Sequence, residues 1–177
     1  IRAVLGLFEG VVTGAADGFA RMTDRPALTL LHLGPGYANG IANLHNASRA
    51  HVPVLNMIGD HATHHLELDA PLTSDIAGLT AAVCDWTGVS SSSDNLAKVG
   101  LEAWQASMSY PGKVTAFMAP ANHAWEPANS DTPIPVVESA KTVGDEEITK
   151  AVEALRDGSA TAIFLGGHAL RETGLYQ

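Results

Sequence analysis

The sequence predicts an α/β fold, a parallel sheet with helices on both faces, followed by the beginning of a second α/β domain. Two observations lead there. Short apolar runs of strand length, at 3–8, 27–32, 52–58 and 113–119, alternate with segments whose apolar residues recur at helical spacing. Clusters of Gly and Pro punctuate the boundaries between them. Strands that are each followed by a helix return in the same direction, so the crossovers are right-handed and the sheet is parallel.

The elements follow in order. Residues 3–8 (AVLGLF) form an apolar run expected to be a buried strand, and Glu9 stands where it gives way to a helix. Gly10, Gly14 and Gly18 recur every fourth residue and line one face of that helix, beside a stripe of Val11, Ala15 and Phe19. An interior Gly costs about 1 kcal/mol relative to Ala, so the series calls for close approach, either by a ligand or second backbone or by the helix's own sheet. Arg25-Pro26 leads into the 27–32 strand, which ends at His32. A Gly/Pro loop is expected over 33–40 and a helix over 41–50.

The third strand, 52–58, ends at Gly59-Asp60, and 60–69 reads as a polar loop. A short helix at 76–83, a short strand at 85–89 and a serine-rich turn at 90–93 come next. Asp94 is the expected N-cap of a helix that Tyr110-Pro111-Gly112 stops. After the 113–119 strand and a closing segment to Trp125, residues 126–144 form a linker rich in Pro and small polar residues. Domain boundaries are therefore expected at 1–125, 126–144 and 145–177. In the last segment Asp145 is expected to cap a helix carrying Ile148, Val152 and Leu155, followed by a strand at 160–165, a turn at 166–168 and the start of another helix.

Composition narrows the function. Among 177 residues, 46% are hydrophobic and 16% charged, which suits a folded domain and not a disordered chain. A formal net charge of -9 with no Lys/Arg cluster argues against nucleic-acid binding. Cys84 is the only cysteine, so no intrachain disulfide forms, and a reducing, cytoplasmic setting is expected. No apolar run approaches the ~18 residues of a membrane span, and the start does not resemble a signal peptide. Because the first residue is Ile1, the chain is expected to begin inside a longer reading frame.

Candidate chemistry gathers at strand ends, where open α/β sheets bind ligands. Glu9 lies at one such end; as a lone carboxylate before a helix it also makes a favourable contact with the helix dipole. The strand, glycine segment and helix around Gly34, Pro35, Gly36, Asn39 and Gly40 form a general anion or cofactor cradle, without the Gly-x-Gly-x-x-Gly fingerprint of dinucleotide sites. His61, His64 and His65 either face solvent or substrate or offer a metal site, although no His-Glu-x-x-His pattern supports a metal. Two rival readings are a nucleotide-binding α/β domain and a regulatory or dimerisation module without catalysis.

The segment EGVVTGAADGFAR (9–21), followed by Leu33-Gly34-Pro35-Gly36 with Asn39, resembles the pyrimidine-binding domain of thiamine diphosphate enzymes. Acetolactate synthase large subunits and benzoylformate decarboxylase are the groups it is most similar to. The likeness covers about residues 2–125, and the remainder is similar to the start of that family's central domain. It implies a flavodoxin-like pyrimidine-binding domain lacking its first strand-helix unit. It further implies that Glu9 hydrogen-bonds the pyrimidine ring nitrogen of thiamine diphosphate, promoting the imino tautomer whose exocyclic nitrogen removes the thiazolium C2 proton. Such a carboxyl needs a raised pKa, expected from an apolar surround of Leu7, Phe8 and Val11.

By the same resemblance, His32 transfers protons near the substrate, and Gly34, Pro35, Gly36 and Asn39 shape the cofactor pocket. The implied substrate is a small 2-oxo acid, and the implied assembly is a homodimer or homotetramer with the Gly10, Gly14 and Gly18 face against a second subunit. The magnesium and diphosphate site of this family, a Gly-Asp-Gly motif, lies on a C-terminal domain that this chain does not contain, and whether FAD binds is left open. The 177 residues alone are therefore expected to be inactive. Two departures from acetolactate synthases stand out: Phe8 in place of the usual histidine before the glutamate, and Gly59-Asp60 in place of Gly-Gln.

Overall fold

The computed structural model describes residues 2–129, 131–137 and 142–171. They fall into two compact units, Ile1–Ser139 and Ala140–Gln177. The first unit contains helices α1 (Glu9–Thr23), α2 (Leu33–Arg49), α3 (Ile76–Ala81), α4 (Ser93–Met108) and α5 (Ala121–Trp125), and strands β1 (Ala27–His32), β2 (Val54–Asp60), β3 (Trp86–Val89) and β4 (Val114–Pro120).

The four strands form one parallel sheet in the order β1-β2-β4-β3. Ala27 pairs with Val54, and Val54 in turn with Val114, so the carboxyl ends of β1, β2 and β4 finish level at His32, Gly59-Asp60 and Ala119-Pro120. Every residue of β4 is buried, and its sequence is accordingly rich in apolar residues, as a strand covered on both faces must be. One face carries the larger core, with Leu31, Val54, Ile58, Val114 and Met118 of the sheet packed with Ala16 and Ala20 of α1, Tyr37, Leu44 and Ala47 of α2 and Ile76 of α3. The other face holds Leu55, Phe117 and Ala119 against Val99 and Ala103 of α4.

Several expectations change. Residues 3–8 are not a strand: Leu5 and Leu7 are 87% and 95% exposed. Apolar content alone does not make a strand; a ladder partner is required, and this run pairs with none. The side chains of Leu28 and Leu30 on β1 are exposed as well. The expected Gly/Pro loop at 33–40 does not exist, because α2 begins at Leu33, directly after β1. Pro35 is tolerated there because first-turn N–H groups have no intrahelical acceptor. Leu33 takes φ 55° to make the turn, a left-handed conformation that costs a leucine about 1–3 kcal/mol.

Smaller shifts have local causes. Ser92, not Asp94, caps α4: its side chain accepts from the Asn95 N–H at 3.2 Å, while Asn95 Oδ1 accepts from the Ser91 N–H at 3.0 Å. This reciprocal arrangement resembles a capping box. The loop expected at 60–69 includes a 3-10 turn, Thr63–Leu68, and the closing segment after β4 is the short helix α5. Residues 131–137 lie back on α4, where Gln105 Nε2 donates to the Val136 carbonyl at 2.8 Å.

In the second unit, α6 (Asp145–Arg156) forms, but its N-cap is Gly144 and not Asp145, which lies in the first turn. The strand expected at 160–165 does not form among the described residues, and Phe164 is 99% exposed. A 3-10 turn, Gly167–Arg171, follows where the turn at 166–168 was expected. The helix expected near the C-terminus lies outside the described residues.

Tyr37 and Cys84 meet inside the larger core, with the hydroxyl 3.2 Å from Sγ. Burial pushes the Cys84 thiol up to about 11, and burial also raises Tyr37. Cys84 is therefore a packing thiol and not a nucleophile. Its alkylation by iodoacetamide in folded protein is expected to be slow at pH 7 and to quicken about tenfold per pH unit until pH approaches 11. Because the unfolded thiol ionises first, its contribution to stability is complete below about pH 8.5 and is lost as pH rises toward 11. Thermal melts of wild type and Cys84→Ala at pH 8 and pH 10.5 check this, since the loss on raising pH is expected to be smaller in the variant.

Candidate active site

The site is built by the end of β1, the first turns of α2 and the first turn of α1. Glu9 opens α1 and is half-buried. Its Oε2 accepts a hydrogen bond from Asn39 Nδ2 at 3.1 Å, and its Oε1 accepts none among the described residues. Gly36, on the first turn of α2, lies beneath this carboxylate. A Cβ added to Gly36 would stand 3.4 Å from Glu9 Oε1, 3.5 Å from His32 Cβ and 3.8 Å from the Leu31 carbonyl carbon. The glycine thus sits between the two residues singled out for chemistry.

The structure brings Glu9, His32, Gly36 and Asn39 together. His32 is exposed at the last position of β1, opposite Gly59, with no side-chain hydrogen bond among the described residues. Its ring is free to meet a ligand. Pro35 is exposed on the same turn. Gly34 is different. It is buried, and a Cβ there would fall 2.3 Å from Ser74 Cβ, so its missing side chain serves the packing of α2 on the loop before α3.

The apolar surround expected for Glu9 is not formed by this chain. Leu7 points to solvent, and Phe8 and Val11 are 53% and 60% exposed, so they flank the carboxylate without covering it. A flat ring with a weakly basic nitrogen could share the carboxyl proton at Oε1, the oxygen that Asn39 does not hold, and an aminopyrimidine is such a ring. The residues present fit the pyrimidine end of thiamine diphosphate.

The glycine series of α1 also has a different role from the one expected. Gly14 faces α2, where a Cβ would lie 3.4 Å from Asn43 Nδ2, and Gly40 of α2 faces Thr13, where a Cβ would lie 2.7 Å from Cγ2. Gly10 is covered by the Phe8 ring, and only Gly18 has open space around it. The close approach that these glycines permit is therefore mainly between α1 and α2 of one chain. Thr13 and Asn43, the polar residues of that contact, were not singled out from sequence. A Thr and an Asn inside helices, each opposite a Gly, were the available signal.

The histidine segment after β2 is held by α5. Asn122 Oδ1 accepts from the Thr63 N–H at 2.9 Å, and its amide reaches Glu126 Oε1 at 2.9 Å. His61 Nε2 lies 3.2 Å from the Pro71 carbonyl, and the His64 and His65 rings stack edge-on at 4.5 Å. Among the described residues no three His, Cys, Asp or Glu side chains converge on a metal position. Nor is any described helix long and apolar enough to cross a membrane.

The site is thus a half-buried glutamate at the start of one helix, set against a glycine in the first turn of the next helix, in a parallel α/β domain. Residues 1–81 match the family described as thiamine pyrophosphate enzyme, N-terminal TPP binding domain. Over these residues the chain is similar to the N-terminal domain of the thiamine pyrophosphate enzymes.

Over 176 residues the chain is 41% identical to a Mycobacterium tuberculosis protein named "Putative acetolactate synthase large subunit IlvX", covering 99% of this chain and 33% of that one. Over 77 residues it is 40% identical to benzoylformate decarboxylase of Pseudomonas aeruginosa, covering 44% of this chain and 15% of the relative. In fold it is similar to the thiamine diphosphate-dependent 4-hydroxybenzoylformate decarboxylase of Rhodococcus jostii RHA1, with a TM-score of 0.79 and 22% identity over 87% of this chain and 30% of that structure. The chain spans about a third of the length of its Mycobacterium tuberculosis relative.

Proposed function

We propose that this chain is the pyrimidine-binding part of a thiamine diphosphate-dependent 2-oxo acid decarboxylase or carboligase, of the acetolactate synthase or benzoylformate decarboxylase type. The observation that carries this reading is the Glu9 carboxylate, with one oxygen held by Asn39 and the other open above Gly36. When bound, thiamine diphosphate supplies the acidic C–H and the electron sink that decarboxylation and carboligation of 2-oxo acids require. Glu9 holds and shares a proton with the pyrimidine ring nitrogen. Asn39 would fix the carboxylate with its second oxygen left for the ring, and Gly36, lacking a side chain beside Oε1, would leave room for it. His32 would move protons to and from the substrate oxygen.

The remaining parts of the reading rest on chain beyond these residues. Magnesium and the diphosphate are held by a separate domain, so the 177 residues by themselves are inactive. A second subunit covers Glu9: the exposed Leu7, Phe8 and Val11 beside it would be buried by a homodimer or homotetramer. The setting is cytoplasmic. The test uses the full-length protein with thiamine diphosphate, magnesium and a panel of aliphatic and aromatic 2-oxo acids, following release of carbon dioxide. Turnover of at least one acid is expected. No turnover of any, together with no cofactor binding, would overturn the reading.

A further inference from the structure

We propose that Asn43 is a positioning residue for Glu9, acting through the first turn of α1. The proposal rests on the reading of Glu9 as the group that activates the cofactor. Asn43 lies on α2, one helical turn after Asn39, and is half-buried. Its Nδ2 donates to the Gly10 carbonyl at 2.7 Å and reaches Thr13 Oγ1 at 3.4 Å. Thr13 is fully buried, and its hydroxyl lies 3.1 Å from both the Glu9 carbonyl and the Gly40 carbonyl.

The two asparagines of α2 therefore grip successive residues of α1. Asn39 takes the side chain of Glu9, and Asn43 takes the backbone of Gly10. A hydrogen bond to a flexible carboxylate fixes direction only if the Cα that carries it is also fixed. Phe8 offers no side-chain cap to this helix end, so that restraint has to come from elsewhere. Asn43 provides it, with Thr13 relaying the contact to the Glu9 carbonyl. The absence of Cβ atoms at Gly14 and Gly40 brings α2 close enough for the bond to reach. In the intact helix the Gly10 carbonyl also accepts from the Gly14 N–H, so it is bound from two sides.

The experiment compares wild type, Asn43→Asp, Asn43→Ala, Ala42→Gly and Glu9→Gln in the full-length protein. Asn43→Asp keeps the shape but loses the donor, and Ala42→Gly weakens α2 at an exposed neighbour without touching α1. Without cofactor, hydrogen exchange at the Thr13 and Gly14 amides is expected to accelerate about tenfold in both Asn43 variants and to be unchanged in Ala42→Gly. With saturating thiamine diphosphate and magnesium, exchange of the cofactor C2 proton is expected to slow by about ten- to a hundredfold in the Asn43 variants, with cofactor affinity nearly unchanged. Unchanged C2 exchange in folded Asn43→Asp would overturn the proposal, as would an equal loss in Ala42→Gly. Should Glu9→Gln retain wild-type C2 exchange, the reading of Glu9 itself fails, an outcome distinct from a null effect at Asn43.

Discussion

Glu9→Gln is expected to lower C2 proton exchange in bound thiamine diphosphate, and turnover of the accepted 2-oxo acid, by about 10²–10⁴-fold. The corresponding loss of barrier stabilisation is about 3–5 kcal/mol. The substitution isolates proton sharing. A glutamine oxygen still accepts from Asn39 Nδ2 and occupies the same volume over Gly36, so geometry is kept while the ability to hold and return a proton is removed. Cofactor binding should therefore fall much less than exchange. Rapid-quench proton NMR of the bound cofactor reads the first quantity and titration of intrinsic fluorescence the second. Wild-type exchange in the variant would show that the carboxylate serves only the helix terminus.

Gly112→Ala is expected to destabilise the first unit by about 2–4 kcal/mol, combining a left-handed backbone and a steric overlap. Gly112 has φ 111°, and a Cβ there would stand 2.3 Å from the His51 carbonyl oxygen. Because that obstacle is backbone, no rotamer change relieves it. The residue joins α4 to β4, next to the point where the Val54 N–H donates to the Lys113 carbonyl at the start of the β2–β4 ladder. Urea denaturation followed by circular dichroism measures the loss. A change below about 0.5 kcal/mol, the usual size for an unremarkable surface position, would show that the turn adjusts freely.

Much of the sheet was legible from sequence because each buried strand must satisfy the same rule, an apolar run bounded by turn residues. β1, β2 and β4 fell within two residues of their expected bounds for that reason. Residues 3–8 and 160–165 obey the same local rule and yet pair with no strand among the described residues. Pairing is a property of the neighbour, which periodicity cannot see. The Gly-Pro-Gly segment was misread as a loop because Pro and Gly disfavour helix interiors, whereas in a first turn Pro costs little and Gly permits contact. For the site, Glu9, His32 and Asn39 were singled out through resemblance, and their proximity follows from the direct passage of β1 into α2 and the packing of α1 on α2. Asn43 and Thr13 were not, because their importance lies in a side-chain-to-backbone contact between two helices.

The direct passage from β1 to α2 at Leu33 leaves no spare chain between His32 and Gly36. An insertion of one residue there would turn α2 by about 100° relative to the strand. Asn39 would leave Glu9, Gly36 would no longer lie under the carboxylate, and Asn43 would lose the Gly10 carbonyl together. The length of this junction is thus as strict a requirement as the identity of its residues, and the backbone strain at Leu33 is the cost of keeping it short.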